Sequence, residues 1–110
     1  MPRTTTIYWR NHSSGWFNFN WNNVIFDGSV VHIAACEWAP ESHLQGAPPG
    51  KKFQGQATIY VKNVVVHGGD TYTGGVQFYL QIDWPNPLNV VTDITVFDPA
   101  EQNLDPDAGN

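Results

Sequence analysis

The sequence predicts an all-β fold: a single antiparallel β-sandwich of jelly-roll-like form, with a small β-barrel as the alternative. Two observations carry this reading. First, residues 76–83 alternate without a break, Val76, Phe78, Leu80 and Ile82 pointing one way and Gln77, Tyr79, Gln81 and Asp83 the other. A period of two marks a strand with one buried and one wet face. Second, six or seven such runs are separated by turn residues, and no window sustains the 3.6-residue period of a helix.

The runs follow in order. Thr4–Arg10 places Thr5, Ile7 and Trp9 on one face and Thr4, Thr6, Tyr8 and Arg10 on the other. Asn11–Gly15 is a turn cluster containing an Asn-x-Ser sequon; without an export signal, glycosylation is not expected. From Trp16 to Trp21 the alternation is strict, with Phe17, Phe19 and Trp21 opposite Trp16, Asn18 and Asn20. Asp27-Gly28 is a strong turn dipeptide and, if the flanking runs pair, closes a hairpin of the primed type.

Ser29–Cys36 is apolar or small on both faces apart from His32, which predicts a central strand covered on both sides. From Glu37 to Lys52 the pattern lapses among prolines and glycines and reads as a long loop. Phe53–Val66 reads as one long strand region, its alternation failing after Asn63 as at a bulge. A Gly-rich loop, residues 67–75, leads into the run that starts at Val76. Two prolines, Pro85 and Pro87, end that run, and a last strand begins at Leu88.

Residues 1–97 therefore make one domain, and residues 98–110, acidic and poor in apolar side chains, make a polar tail expected to fray. The chain has 110 residues and one cysteine, so it suits one core and holds no internal disulfide. It has neither a visible signal peptide nor a run of about 20 apolar residues, so a soluble protein without a transmembrane segment is expected.

Only 14% of residues are charged and the formal net charge is −5; five cations form no basic stripe, which argues against nucleic-acid partners. Five Trp, four Tyr and six Phe set among many amides and hydroxyls suit a neutral, hydroxylated ligand as well as ordinary β packing. The function expected is non-enzymatic: lectin-like recognition of neutral carbohydrate. Alternatives are a lipid- or membrane-surface-binding sandwich and a structural subunit that forms homo-oligomers.

Three constellations are candidate binding sites. Asp83, Trp84 and Asn86 offer an aromatic plate, a carboxylate and an amide in a loop stiffened by proline. The competing reading buries Trp84 in the core beneath the turn. His67, Asp70 and Tyr72 flank adjacent glycines that let backbone approach a ligand, and Asp70 with backbone carbonyls has the oxygen ligands of Ca²⁺ as a cofactor, without a complete calcium motif. Trp16, Asn18 and Asn20 form an aromatic-plus-amide strip that suits a ligand or a subunit contact. A fourth group, His32, Cys36, Glu37, Glu41 and His43, has the residue types of a zinc site or a nucleophile–base pair but no recognised spacing.

The run Asp27–Ala35, with Trp38 following, resembles the strand of small galactose-binding bacterial lectins, and Trp84–Asp98 is similar in pattern. The resemblance covers about a third of the chain. It implies a jelly-roll-like sandwich that binds sugar, but the Asp-, Thr- and Asn-rich calcium loop of that family is missing and no site residue is carried over. Small membrane-binding β-sandwich toxins of fungi and bacteria share the aromatic richness.

Overall fold

The computed structural model describes residues 1–41 and 48–108. Its seven strands are β1 (Arg3–His12), β2 (Gly15–Asn20), β3 (Val30–Pro40), β4 (Gly50–Phe53), β5 (Thr58–His67), β6 (Gly75–Asp83) and β7 (Leu88–Phe97), with no helix among the described residues. They form two antiparallel sheets in the orders β1-β7-β3-β4 and β2-β6-β5. No strand of one sheet pairs with a strand of the other, so the sandwich is not closed into a barrel. The first strand pairs with the last and the second with the last but one, the nested pairing of a jelly-roll-like fold.

The core lies where the alternation placed it. Val76, Phe78 and Leu80 of β6 and Val90 and Ile94 of β7 are fully buried and face one another between the layers. Phe17 stacks on Phe78 at 5.6 Å, and Trp9 meets Phe17 edge-on at 4.9 Å. Thr92, also fully buried, accepts a 3.0 Å hydrogen bond from the Trp9 indole, so its hydroxyl is satisfied. The break in the β5 alternation is a bulge: Asn63 has φ +47° and the β5–β6 register shifts between Lys62 and Val65.

Four local expectations are corrected. Asp27-Gly28 closes no hairpin, because β2 and β3 belong to different sheets. Gly28 has no positive φ; the turn, with Ser29 donating to the Phe26 carbonyl, carries the chain between layers. β3 is central in pairing but not covered on both sides, since His32 and Ala34 are exposed.

Among its described residues, the stretch 37–52 is largely strand. Glu37–Pro40 pairs with Gly50–Phe53, while the loop's interior falls outside the described residues. Residues 53–66 are not one strand but the end of β4, a crossing segment and β5. In the latter two cases Pro and Gly masked strand ends whose hydrogen bonds are made with distant partners. The tail's residues 98–108 are exposed, and the Met1 ammonium lies 2.6 Å from the Asp98 carboxylate.

Candidate functional site

The strand pairing brings the outward-facing residues of β2, β6 and β5 onto one open sheet face. Trp16 sits opposite Tyr79, which sits opposite Lys62; Asn18 is opposite Gln77, which is opposite Val65; Gln81 is opposite Tyr60 and Asp83 opposite Thr58. The outward-facing positions of all three strands thus make a platform about 20 Å long, three strands wide. Trp16 is 54% and Tyr60 43% exposed. Trp16 and Tyr79 meet edge-on with ring centres 5.4 Å apart. The Lys62 ammonium lies 5.1 Å from the Tyr79 ring centre and 5.9 Å from that of Tyr60, within cation–π range.

The polar groups are held from within. Asn18 donates to Asn20 Oδ1 at 2.9 Å, which turns its own Oδ1 toward His67 Nε2 at 2.8 Å. That nitrogen therefore carries the proton. Gln81 donates to Asp83 at 2.6 Å. Side chains oriented in this way lose less freedom when a ligand binds.

The opposite outer face, on the four-stranded sheet, is closed by its own contacts. Trp38 is 2% exposed although it points away from the sandwich core. Its indole lies against Tyr8, edge-on at 5.0 Å, beneath the Arg10 guanidinium at 4.7 Å, and over Gly50, where any Cβ would run into the ring. Its Nε1 donates to the Trp9 carbonyl at 3.0 Å. Next to it Asp93 accepts from Thr6 and from Lys52, both at 2.6 Å. Burial pushes the Asp93 carboxyl up, but the hydrogen bonds from Lys52 and Thr6 and the Lys52 charge outweigh it and hold it below its ordinary value. Lys52 is raised in turn, chiefly by its hydrogen bond to Asp93. Rings and charges on this face are spent on one another.

The nine sequence candidates separate. Trp16, Asn18, Asn20, His67 and Asp83 share the platform face, His67 joining through Asn18. Trp84 is 41% exposed and outside the core, so its burial beneath the turn is ruled out; it and the exposed Asn86 lie in the loop past the platform's Asp83 end. Asp70 and Tyr72 lie at the other end, near the β5–β6 turn. That Gly-rich turn is sewn to the β2–β3 connection: Asp27 accepts from the Gly69 amide at 2.9 Å, and its own amide donates to the Gly69 carbonyl at 3.0 Å.

The glycines there serve the chain's own packing, since a Cβ on Gly74 would run into the His67 carbonyl. Tyr72 packs on Phe26 at 4.5 Å and lines a hollow of about 180 Å³ with Arg3, Asn23, Phe97 and Asp98. Asp70 is exposed, and among the described residues no three acidic, His or Cys side chains come together to hold a metal ion. His32 and Cys36 share a strand face four residues apart, about 13 Å, too far for a nucleophile and its base; His43 lies outside the described residues.

Tyr60, Lys62, Gln77, Tyr79 and Gln81 were not singled out from sequence as site residues. The alternation of β6 put Gln77, Tyr79 and Gln81 on an outward face, and only the strand order β2-β6-β5 shows that this face is continuous with those of β2 and β5.

No family model, no curated protein and no solved structure matches the chain. The lectin-like strand pattern therefore has no counterpart there, and function is argued from the platform. No helix among the described residues is long and apolar enough to cross a membrane.

Proposed function

We propose that the chain is a carbohydrate-binding module that seats a saccharide on the outer face of β2, β6 and β5. The observation that carries the reading is the ring row of exposed Trp16, half-buried Tyr79 and exposed Tyr60 on the open face, set among oriented amides and a carboxylate. A sugar ring offers a C–H face to aromatic plates and hydroxyls to amides and carboxylates. Gln77, Gln81, Asn18 and Asp83 stand within the same face as the rings. The function is binding, with no catalytic step assigned to any residue.

A second reading, docking on a lipid surface, is favoured by Val64 and Val65, 39% and 50% exposed beside the bulge, since Trp and Tyr prefer the headgroup level. A glycan array run with native chain and Trp16→Ala, alongside liposome sedimentation, tests both. Retention on glycans that Trp16→Ala abolishes supports the module; sedimentation with liposomes and no glycan retention overturns it in favour of the lipid reading.

A further inference from the structure

Lys62 is the one Lys or Arg in the three-stranded sheet; Arg3 and Arg10 lie on β1 and Lys51 and Lys52 on β4. In the other sheet Lys52 is paired with Asp93, while Arg3 and Arg10, like Lys62, lie over rings, those of Trp21 and the buried Trp38. Lys62 has no carboxylate partner among the described residues and stands between the Tyr79 and Tyr60 rings of the platform. The platform's own acid, Asp83, is opposite Thr58, four residues along β5 and about 13 Å away, beyond the roughly 8 Å screening length at physiological salt. Asp83 is itself occupied by the Gln81 amide. An ammonium held over two phenol rings, with rings on either side, is placed to meet an anionic group on a ligand whose neutral part lies on those rings.

We propose that the platform reads a saccharide carrying an anionic substituent, of the uronic-acid carboxylate class, with Lys62 as its charge-selecting residue. The proposal rests on the carbohydrate-binding reading above and narrows it. The low overall charge of the chain does not oppose it, because a single local cation sets the field at the platform while most other charges lie on the opposite layer or at the ends.

The test uses a panel of oligouronates, each paired with its methyl ester, which removes the charge and keeps the ring. Binding by native chain, Lys62→Met and Lys62→Arg is compared at low and high sodium chloride. Native chain is expected to bind at least one free acid about three- to tenfold more tightly than its ester, with the preference shrinking at high salt. Lys62→Met is expected to bind the acid no better than the ester, and Lys62→Arg to keep the preference. Equal binding of acid and ester by native chain, or a preference that survives in Lys62→Met, overturns the proposal, as does failure to bind any member. If neutral glycans are nonetheless retained and lost in Trp16→Ala, the carbohydrate reading survives this failure. If Trp16→Ala changes no binding, both fall. Sedimentation with anionic phospholipid vesicles, without binding to any saccharide, assigns Lys62 to a lipid headgroup and likewise overturns the proposal.

Discussion

Trp16 stands directly opposite Tyr79 in the β2–β6 register, and the two rings meet edge-on at 5.4 Å on a face open to solvent. The pair is a surface pair, not part of the core packing. Removing the indole should therefore affect binding far more than folding. Trp16→Ala is expected to lose about 0.5–1.5 kcal/mol of stability, the worth of an aromatic pair, in denaturant titration. A loss of 3 kcal/mol or more would place Trp16 in the core.

Trp84 and Trp38 make the contrasting pair. One is 41% exposed in the β6–β7 loop and the other 2% exposed on β3. Trp38→Ala removes a ring packed on Tyr8, Arg10 and Gly50 and should cost about 3–5 kcal/mol. Trp84→Ala should cost less than about 2 kcal/mol. Thermal melts of the two variants check the order, and a Trp84 variant as unstable as Trp38→Ala would contradict the exposure of that loop.

How legible was all this in the sequence? The period-two runs showed the faces of β2 and β6 residue by residue, because one face of each packs inward. Asn63 was legible as a bulge because β-branched residues break step after it. Trp38 was not legible: it follows the apolar run of β3 among prolines and glycines, and only Gly50 across the β3–β4 ladder explains how its ring lies flat there. The platform was legible in thirds. Its residues were on the right faces, but β2, β5 and β6 are joined by long-range pairing that no local pattern reveals. The Gly-rich loop was ambiguous, because glycine signals close approach without saying whether a ligand or the chain's own backbone makes that approach.

The Lys52–Asp93 pair predicts a pH window. Asp93 is held low, so its contribution is full above the unfolded carboxylate value near 4 and is lost as pH falls through its lower folded value. Lys52 is raised, so its contribution is full below the unfolded ammonium value near 10.4 and is lost as pH rises through its higher folded value. The pair therefore stabilises between about pH 4 and pH 10. Both groups are partly exposed, so the effect is below about 1 kcal/mol. Lys52→Met should lower stability at pH 7 and leave less pH dependence below pH 4; an unchanged acid limb would show that Asp93 is not tuned by Lys52.

The acidic tail should be dispensable. Residues 99–105 are exposed, Leu104 at 77%. Truncation after Asp98, which keeps the contact to Met1, should move the melting temperature by no more than a few degrees. A larger fall would show that the tail is part of the folded domain.

The most direct test of the platform is a ¹H–¹⁵N NMR titration with the saccharide that the array retains best. The shifts expected to move are the Trp16 indole N–H and the amides of Asn18, Gln77, Tyr79, Gln81, Tyr60 and Lys62, which lie on three strands and one face. Shifts confined to Trp84 and Asn86, or to Asp70 and Tyr72 at the opposite end, would contradict a site on that face.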